Sequence, residues 1–200
     1  MSFGAGAGAD VGADTDALQA FADGALGGNL PADLREQIAR AGQLRERPAE
    51  AQALLEQARD AAPGHPAPLI ALYRFHFYGH RLAEARAVGE VALAAAGRVL
   101  GTRFEQAVPS REEARHDVAV RFYLFTLKGL AYLSLRLGEP ARARVALEEL
   151  RRLDPEDHVG GALLQHVLQR HEAGGDPDAE ERLQAHPARG WPARREEVAA

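Results

Sequence analysis

A pattern of small and apolar residues recurs along this chain with a period of 34 residues. In segments 51–63 and 85–97, an alanine is followed four residues later by Leu or Gly, then by Ala, and finally by Pro or Gly. A third copy, 143–155, begins 58 residues after the second, which is one period plus an insertion of 24 residues. Because a period of 20–50 residues is typical of stacked supersecondary units, this pattern predicts a repeat architecture.

The composition indicates that the repeated units are helical. Apolar residues make up 46% of the 200 residues but aromatic residues only 6%, because alanine is the most frequent apolar residue and supplies nearly half of the apolar fraction. Alanine loses no side-chain entropy in a helix, and no stretch alternates with the period of two that a half-buried strand requires. The predicted fold class is therefore all-α. From the Pro and Gly stops, the predicted helices are 32–45, 49–61, 66–79, 82–99, 111–137, 141–152 and 159–172.

The chain divides into three zones. Segment 1–31 is rich in Gly and Ala and carries four acidic residues and no basic one, which predicts a flexible acidic tail. Segment 173–200 mixes Pro, Gly and both charges, and we expect a second flexible tail there. The net charge of −5 belongs to these two segments, so the helical region 32–172 is close to neutral.

Several functional classes are excluded by composition or charge. The chain has no cysteine, which removes disulfides, thiolate-bound zinc, Fe–S clusters and thiol nucleophiles. An acidic net charge argues against a nucleic-acid partner, for which a basic surface is expected. The most apolar stretch, 118–135, contains Arg121 and Lys128, each of which would cost about 2.5–3.5 kcal/mol at the centre of a bilayer. We therefore expect a buried helix, no membrane partner, no secretory signal and a cytoplasmic location.

The third copy carries a recognisable family pattern. It reads Leu127-x2-Leu130-Ala131-x2-Ser134, then Gly138, then Ala143-x3-Leu147, and ends with Pro155. At these positions the chain resembles the tetratricopeptide repeat (TPR) proteins, whose 34-residue pattern is W-x2-L-G-x2-Y, A-x3-F and P. The second copy departs from it, with Tyr73 where a small residue is expected and Gly89 in place of a large apolar one.

The resemblance implies a specific architecture. A TPR-like α-solenoid of about three helix pairs would occupy 32–65, 66–99 and 124–157, followed by a capping helix in 158–172. Residues 100–123 would form an insertion in front of the third pair, and a capping box at Ser110-Arg-Glu-Glu113 would start its long helix. An irregular helical bundle with accidental periodicity is the alternative.

The resemblance also implies a binding surface. In TPR proteins the first helix of each pair lines an inner wall on which peptides lie. On this chain the predicted contacts are a mixed set of cationic and aromatic residues: Arg40, Arg74, Phe77, Tyr78, Lys128, Tyr132 and Arg136. Since Arg and Lys donate charge-assisted hydrogen bonds to carboxylates, the predicted partner is a protein or an acidic peptide. The predicted function is a non-enzymatic adaptor or chaperone-like interaction module without a cofactor.

Two narrower resemblances bear on the biological setting. Three repeats and a capping helix are similar to the TPR chaperones of type III secretion, although the insertion counts against that subgroup. Segments 71–80 (ALYRFHFYGH) and 120–138 (VRFYLFTLKGLAYLSLRLG) are similar to small TPR proteins encoded among bacterial nitrogen-fixation genes.

One alternative comes from a different functional class. His76 and His80 stand four residues apart, a spacing that can place two imidazoles on one ion if both lie on a helix. The motif lacks the glutamate of a zinc-protease helix, and Gly79 is predicted to end the helix between them. The alternative is a metal-binding or enzyme-associated regulatory helical module. No catalytic motif is found.

Overall fold

The described part of the chain is entirely helical outside its turns. The computed structural model describes residues 30–101, 104 and 107–172, so the two predicted tails lie almost wholly outside it. Within these residues there are eight α-helices and no strand, which confirms the all-α prediction. The helices are α1 Ala32–Gln43, α2 Pro48–Ala61, α3 Pro66–Tyr78, α4 Leu82–Leu100, α5 Arg111–His116, α6 Val118–Arg136, α7 Pro140–Leu153 and α8 Ala162–Glu172.

The predicted long helix 111–137 is wrong in one respect, because it is divided at Asp117. This residue has an extended backbone (φ −71°, ψ 123°), and its carboxylate accepts a hydrogen bond of 2.9 Å from the amide of Val120. Asp117 therefore acts as the N-cap of α6 and ends α5. The capping box at the start of α5 is confirmed, since Ser110 and Glu113 each accept a hydrogen bond from the other's backbone amide.

The helices pack in chain order. Helices α1, α2 and α3 each contact the helix that follows, α4 contacts α6 directly, and α6 contacts α7, which contacts α8. The insertion therefore does not separate the second helix pair from the third. Helix α6 lies at the centre, with α4 and α7 on either side and α5 and α8 against it.

The apolar composition of α6 agrees with its central position among the other helices. Among the described residues it is the one helix long and apolar enough to cross a membrane, with a mean hydropathy of 1.3. Half of that window is buried inside the protein, which is compatible with a soluble protein whose core helix is apolar on several sides.

The period of the sequence is also a period of the core. The alanine that opens each copy is fully buried, and so are the two following positions of the pattern. These nine buried residues are Ala51, Leu55, Ala58, Ala85, Gly89, Ala92, Ala143, Leu147 and Leu150.

Backbone conformation repeats with the same spacing. The residue before the second helix of each pair has nearly the same ψ, which is 65° at Arg47, 70° at Arg81 and 64° at Glu139, while φ ranges from −92° to −130°. The residues that follow α2 and α7, Ala62 and Asp154, agree to within a degree in φ, at −131° and −130°, and share a ψ of 68°. The repeat is thus a property of the backbone as well as of the sequence.

The two turns inside the second and third pairs are equivalent. His80 and Gly138, 58 residues apart, adopt left-handed conformations with φ of 56° and 70°. In both turns the next amide donates to the carbonyl five residues earlier, at 2.9 and 2.8 Å, as in a Schellman motif.

The unusual residues of the second copy compensate for one another. A Cβ atom on Gly89 would lie 2.9 Å from Cδ2 of Leu130, and one on Gly129 would lie 2.9 Å from the hydroxyl of Tyr73. The two glycines let α4 and α6 approach closely and leave room for the ring of Tyr73 on α3. The large ring of Tyr73 and the absence of side chains at Gly89 and Gly129 are therefore complementary in the packing of these helices.

We expect Gly89→Val to destabilise the protein by about 1–3 kcal/mol, because the new side chain overlaps Leu130 in a closely packed interface. Gly42→Val is the matched control, since an added Cβ on Gly42 of α1 meets no atom within 4 Å. Chemical denaturation of both variants measures the difference. Equal stabilities would show that α4 and α6 do not meet closely at Gly89.

Candidate interaction surface

Helices α3 and α6 bring five of the seven predicted contact residues together. Arg74, Phe77 and Tyr78 lie on α3, and Tyr132 and Arg136 lie on the facing end of α6. The rings of Phe77 and Tyr132 connect the two helices, with centroids 5.9 Å apart. Phe77 also meets Tyr78 edge-on at 5.4 Å. We refer to the half-buried residues Arg74, Tyr78, Tyr132 and Arg136 as the arginine–aromatic patch.

Each arginine of the patch is held over a tyrosine ring of its own helix. The guanidinium carbon of Arg74 lies 5.9 Å from the ring centroid of Tyr78, and that of Arg136 lies 5.8 Å from Tyr132. Both pairs are four residues apart, the spacing that places side chains on one face of a helix. Nη1 of Arg136 also donates a 2.9 Å hydrogen bond to the hydroxyl of Tyr132. Burial raises the pKa of Tyr132, so its neutral hydroxyl accepts this bond at physiological pH.

The charge of Arg136 is not neutralised by a carboxylate within the described residues. Its one hydrogen-bond partner there is the hydroxyl of Tyr132, and its Nε is buried without a partner. As the last residue of α6 it also lies where the helix dipole favours a cation. The guanidinium therefore keeps the capacity to pair with an incoming anion.

Phe77 was predicted to contact a partner, and this is wrong. Only 1% of its surface is exposed, and it belongs to a core cluster with Ala85 and Leu133. Tyr73 stacks on it at 5.7 Å. Segment 73–78 carries rings on every side of α3, so the ring that faces α4 and α6 is buried. Its role is to support Tyr78 and Tyr132 from beneath.

Lys128 was also predicted to be a surface cation, and this too is wrong. It is only 6% exposed, and its Nζ donates a 2.7 Å hydrogen bond to the carbonyl of Val159, in the loop before α8. The buried carboxylate of Asp154 accepts from the amide of Val159 at 2.9 Å and contacts Nδ1 of His158 at 2.7 Å. Lys128 therefore fastens the α7–α8 loop to α6.

Arg40 is exposed in the last turn of α1 and has no contact with the patch among the described residues. A cation that the prediction omitted shares the patch's geometry: the guanidinium of Arg121 lies 5.2 Å from the ring centroid of Phe125 on α6. The spacing of Arg and an aromatic residue by four, present three times on α3 and α6, is the signal that would have found it.

The histidine pair does not form the arrangement on which the metal-binding alternative rests. His76 is only 5% exposed, and its ring meets Phe75 edge-on at 5.4 Å. His80 is exposed and lies beyond the end of α3, in a left-handed conformation. Among the described residues, no group of three or more potential metal ligands is found.

A cleft of about 350 Å³ lies between α4, α6 and α7, away from all seven predicted residues. The carboxylate of Glu149 and the guanidinium of Arg152 form two hydrogen bonds of 2.7 Å there. This pairing holds the pKa of Glu149 below its usual value, and the two side chains neutralise each other's charge inside the cleft. The lining residues are Gly97, Gly101, Phe104, Tyr123, Glu149 and Arg152.

Fold and surface together define an all-helical protein in which consecutive helices pack in order and two of them present arginines over tyrosine rings. The chain is 39% identical over 134 residues to an uncharacterized 19.8 kDa protein in the nifW 5′ region of Azotobacter chroococcum mcd 1. The match covers 61% of this chain and 71% of the Azotobacter protein, so the chain belongs to the same family. No protein-family model and no solved structure matches the chain.

Reversing the charge of Lys128 is expected to damage the fold rather than a binding surface. Lys128→Glu would place a buried carboxylate against the carbonyl of Val159, at a cost of about 3–5 kcal/mol. Arg40→Glu makes the same charge change at an exposed position and should stay within about 0.5 kcal/mol of the wild type. Unfolding in urea compares the two. A wild-type stability for Lys128→Glu would contradict the burial of this lysine.

His76 is expected to make stability depend on pH. Burial, reinforced by the charge of Arg81, lowers the pKa of His76 below 6.5. Below about pH 6.5 the unfolded chain therefore binds a proton that the folded chain does not, so stability is full above that pH and falls as the pH decreases towards the lowered value.

We expect His76→Leu to reduce the loss of stability between about pH 7.5 and pH 5.5, because the titrating group is removed. His166→Leu, at an exposed position on α8, should retain the wild-type loss. Denaturant unfolding at the two pH values measures both variants. The same pH dependence in both would show that His76 titrates normally in the folded protein.

Proposed function

We propose that this protein is a TPR-like scaffold that binds a partner protein through the arginine–aromatic patch and catalyses no reaction. The observation that carries the proposal is the joined set of two arginines and two tyrosines on α3 and α6, half-exposed and supported by the buried ring of Phe77. An adaptor or a chaperone-like protein is the role that such a surface serves.

The solenoid part of the proposal is supported by the repeated backbone. Helices α1, α3 and α6 would be the first members of three pairs, and α2, α4 and α7 the second members. The recurring dihedral angles and the packing in chain order agree with that assignment. Helix α8 would then be the cap, because its buried residues Leu164 and Leu168 face the domain while most of its other residues are exposed.

The chemistry of the patch favours an acidic partner. Tyr and Arg are enriched among the residues on which interaction energy is concentrated, and tyrosine buries a large area with few freely rotating bonds. A guanidinium already held over a ring loses less freedom on binding, and it pairs with a carboxylate through two parallel hydrogen bonds. Arg136, which contacts no carboxylate among the described residues, is the group that would make this pair.

The family relationship suggests where the protein acts. The Azotobacter relative is encoded in the nifW 5′ region, and we propose that this protein likewise works in the cytoplasm of nitrogen-fixing bacteria. The partner would then be a protein produced under nitrogen-fixing conditions.

The proposal is tested by affinity capture with the wild-type chain and with Arg74→Glu/Arg136→Glu as baits in extracts of Azotobacter chroococcum grown on N₂. We expect specific proteins on the wild-type bait and their loss from the double variant, because two carboxylates would repel an acidic partner. Thermal unfolding should show both baits folded at the temperature of capture, with the double variant melting at a lower temperature because Arg136→Glu places a carboxylate at the C-terminal end of α6.

Arg115→Glu/Arg151→Glu is the matched control, because it makes the same charge change at exposed positions on α5 and α7. This variant should retain the captured proteins. Identical capture by all three baits, or no specific capture by the wild type, would refute binding through the patch.

A further inference from the structure

We propose that the acidic segment preceding α1 docks on the arginine–aromatic patch of the same chain and competes with the partner for it. The proposal rests on the proposed function only in that both use the same surface. The segment concerned is 10–23, which lies outside the described residues.

Charge and side-chain chemistry make the segment complementary to the patch. Residues 1–29 contain four aspartates, at positions 10, 14, 16 and 23, and neither Lys nor Arg. Asp16 and Asp23 flank the apolar residues Leu18 and Phe21. An aromatic residue between two carboxylates matches a surface on which two tyrosines lie beside two guanidinium groups.

The position where the segment leaves the domain places it within reach of the patch. Leu30 is 4% exposed and packs in a core cluster with Leu69 and Ile70 at the start of α3. Tyr78 lies eight residues further along α3, about 12 Å away at a rise of 1.5 Å per residue. The seven residues from Leu30 back to Asp23 span up to about 24 Å when extended, at 3.3–3.6 Å per residue. Asp23 and the residues before it can therefore lie over the patch.

Because the segment and the patch belong to one chain, even a weak contact between them is sufficient for the segment to occupy the patch. A short flexible connection gives an effective concentration in the millimolar range, so an interaction too weak to detect between separate molecules is populated within one chain. The contact would be largely electrostatic at an exposed surface, and salt would weaken it.

The absence of cysteine allows a direct test in the full chain, with a nitroxide attached at Ala20→Cys. Amide signals of 74–78 and 132–136 should be weakened severalfold by the oxidised label relative to the reduced one. Signals of 144–148 on α7 serve as the internal reference. Asp16→Asn/Asp23→Asn should restore the patch signals, whereas Asp176→Asn/Asp178→Asn, the same change in the C-terminal segment, should not.

Unaffected patch signals in the labelled protein would overturn the proposal, and so would losses that persist in Asp16→Asn/Asp23→Asn. A mixture of ¹⁴N protein carrying the label with unlabelled ¹⁵N protein distinguishes a second copy as the occupant. Signal loss in that mixture would mean that the segment docks on another molecule, contrary to the proposal. These measurements use no partner, so their failure leaves capture through the patch untouched, and a failure of capture leaves them interpretable.

Discussion

The close approach of α4 and α6 at Gly89 is the contact on which the rest of the structure depends. It joins the second helix pair to the third across an insertion of 24 residues, which would otherwise leave two short helical units. Leu130 fills the space over Gly89, and the ring of Tyr73 occupies the space over Gly129. Gly89, which departs from the repeat pattern, is thus the residue that permits α4 and α6 to pack closely.

The patch is a consequence of the same packing. With α4 packed against both α3 and α6, side chains of α3 reach α6, and the buried ring of Phe77 contacts Tyr132 and Tyr78 from beneath. The two tyrosines in turn hold Arg74 and Arg136. A polar surface is therefore positioned by an apolar contact below it, which explains how half-buried arginines can be held in place before any partner binds.

The sequence predicted local structure well because helix limits are set by nearby residues. Pro66 and Gly79 bound α3, and Gly101 follows the end of α4, so the predicted and observed limits differ there by one residue. The break at Asp117 was missed because an acidic residue next to an apolar run is also common inside helices. Burial of Phe77 and Lys128 could not be predicted, since it depends on α6 and on the α7–α8 loop, which are distant in sequence. The tyrosine–arginine spacing, by contrast, was visible in the sequence.

A double-mutant cycle between Gly89 and Leu130 tests the central contact most directly. Leu130→Ala removes the side chain that an added group on Gly89 would overlap, so the combined Gly89→Val/Leu130→Ala variant should lose less stability than the two single variants together. We expect a coupling free energy of about 1 kcal/mol or more, the range seen for residues in contact. Additivity within about 0.5 kcal/mol would mean that the two residues do not touch, and the arrangement of α3, α4 and α6 described above would be contradicted.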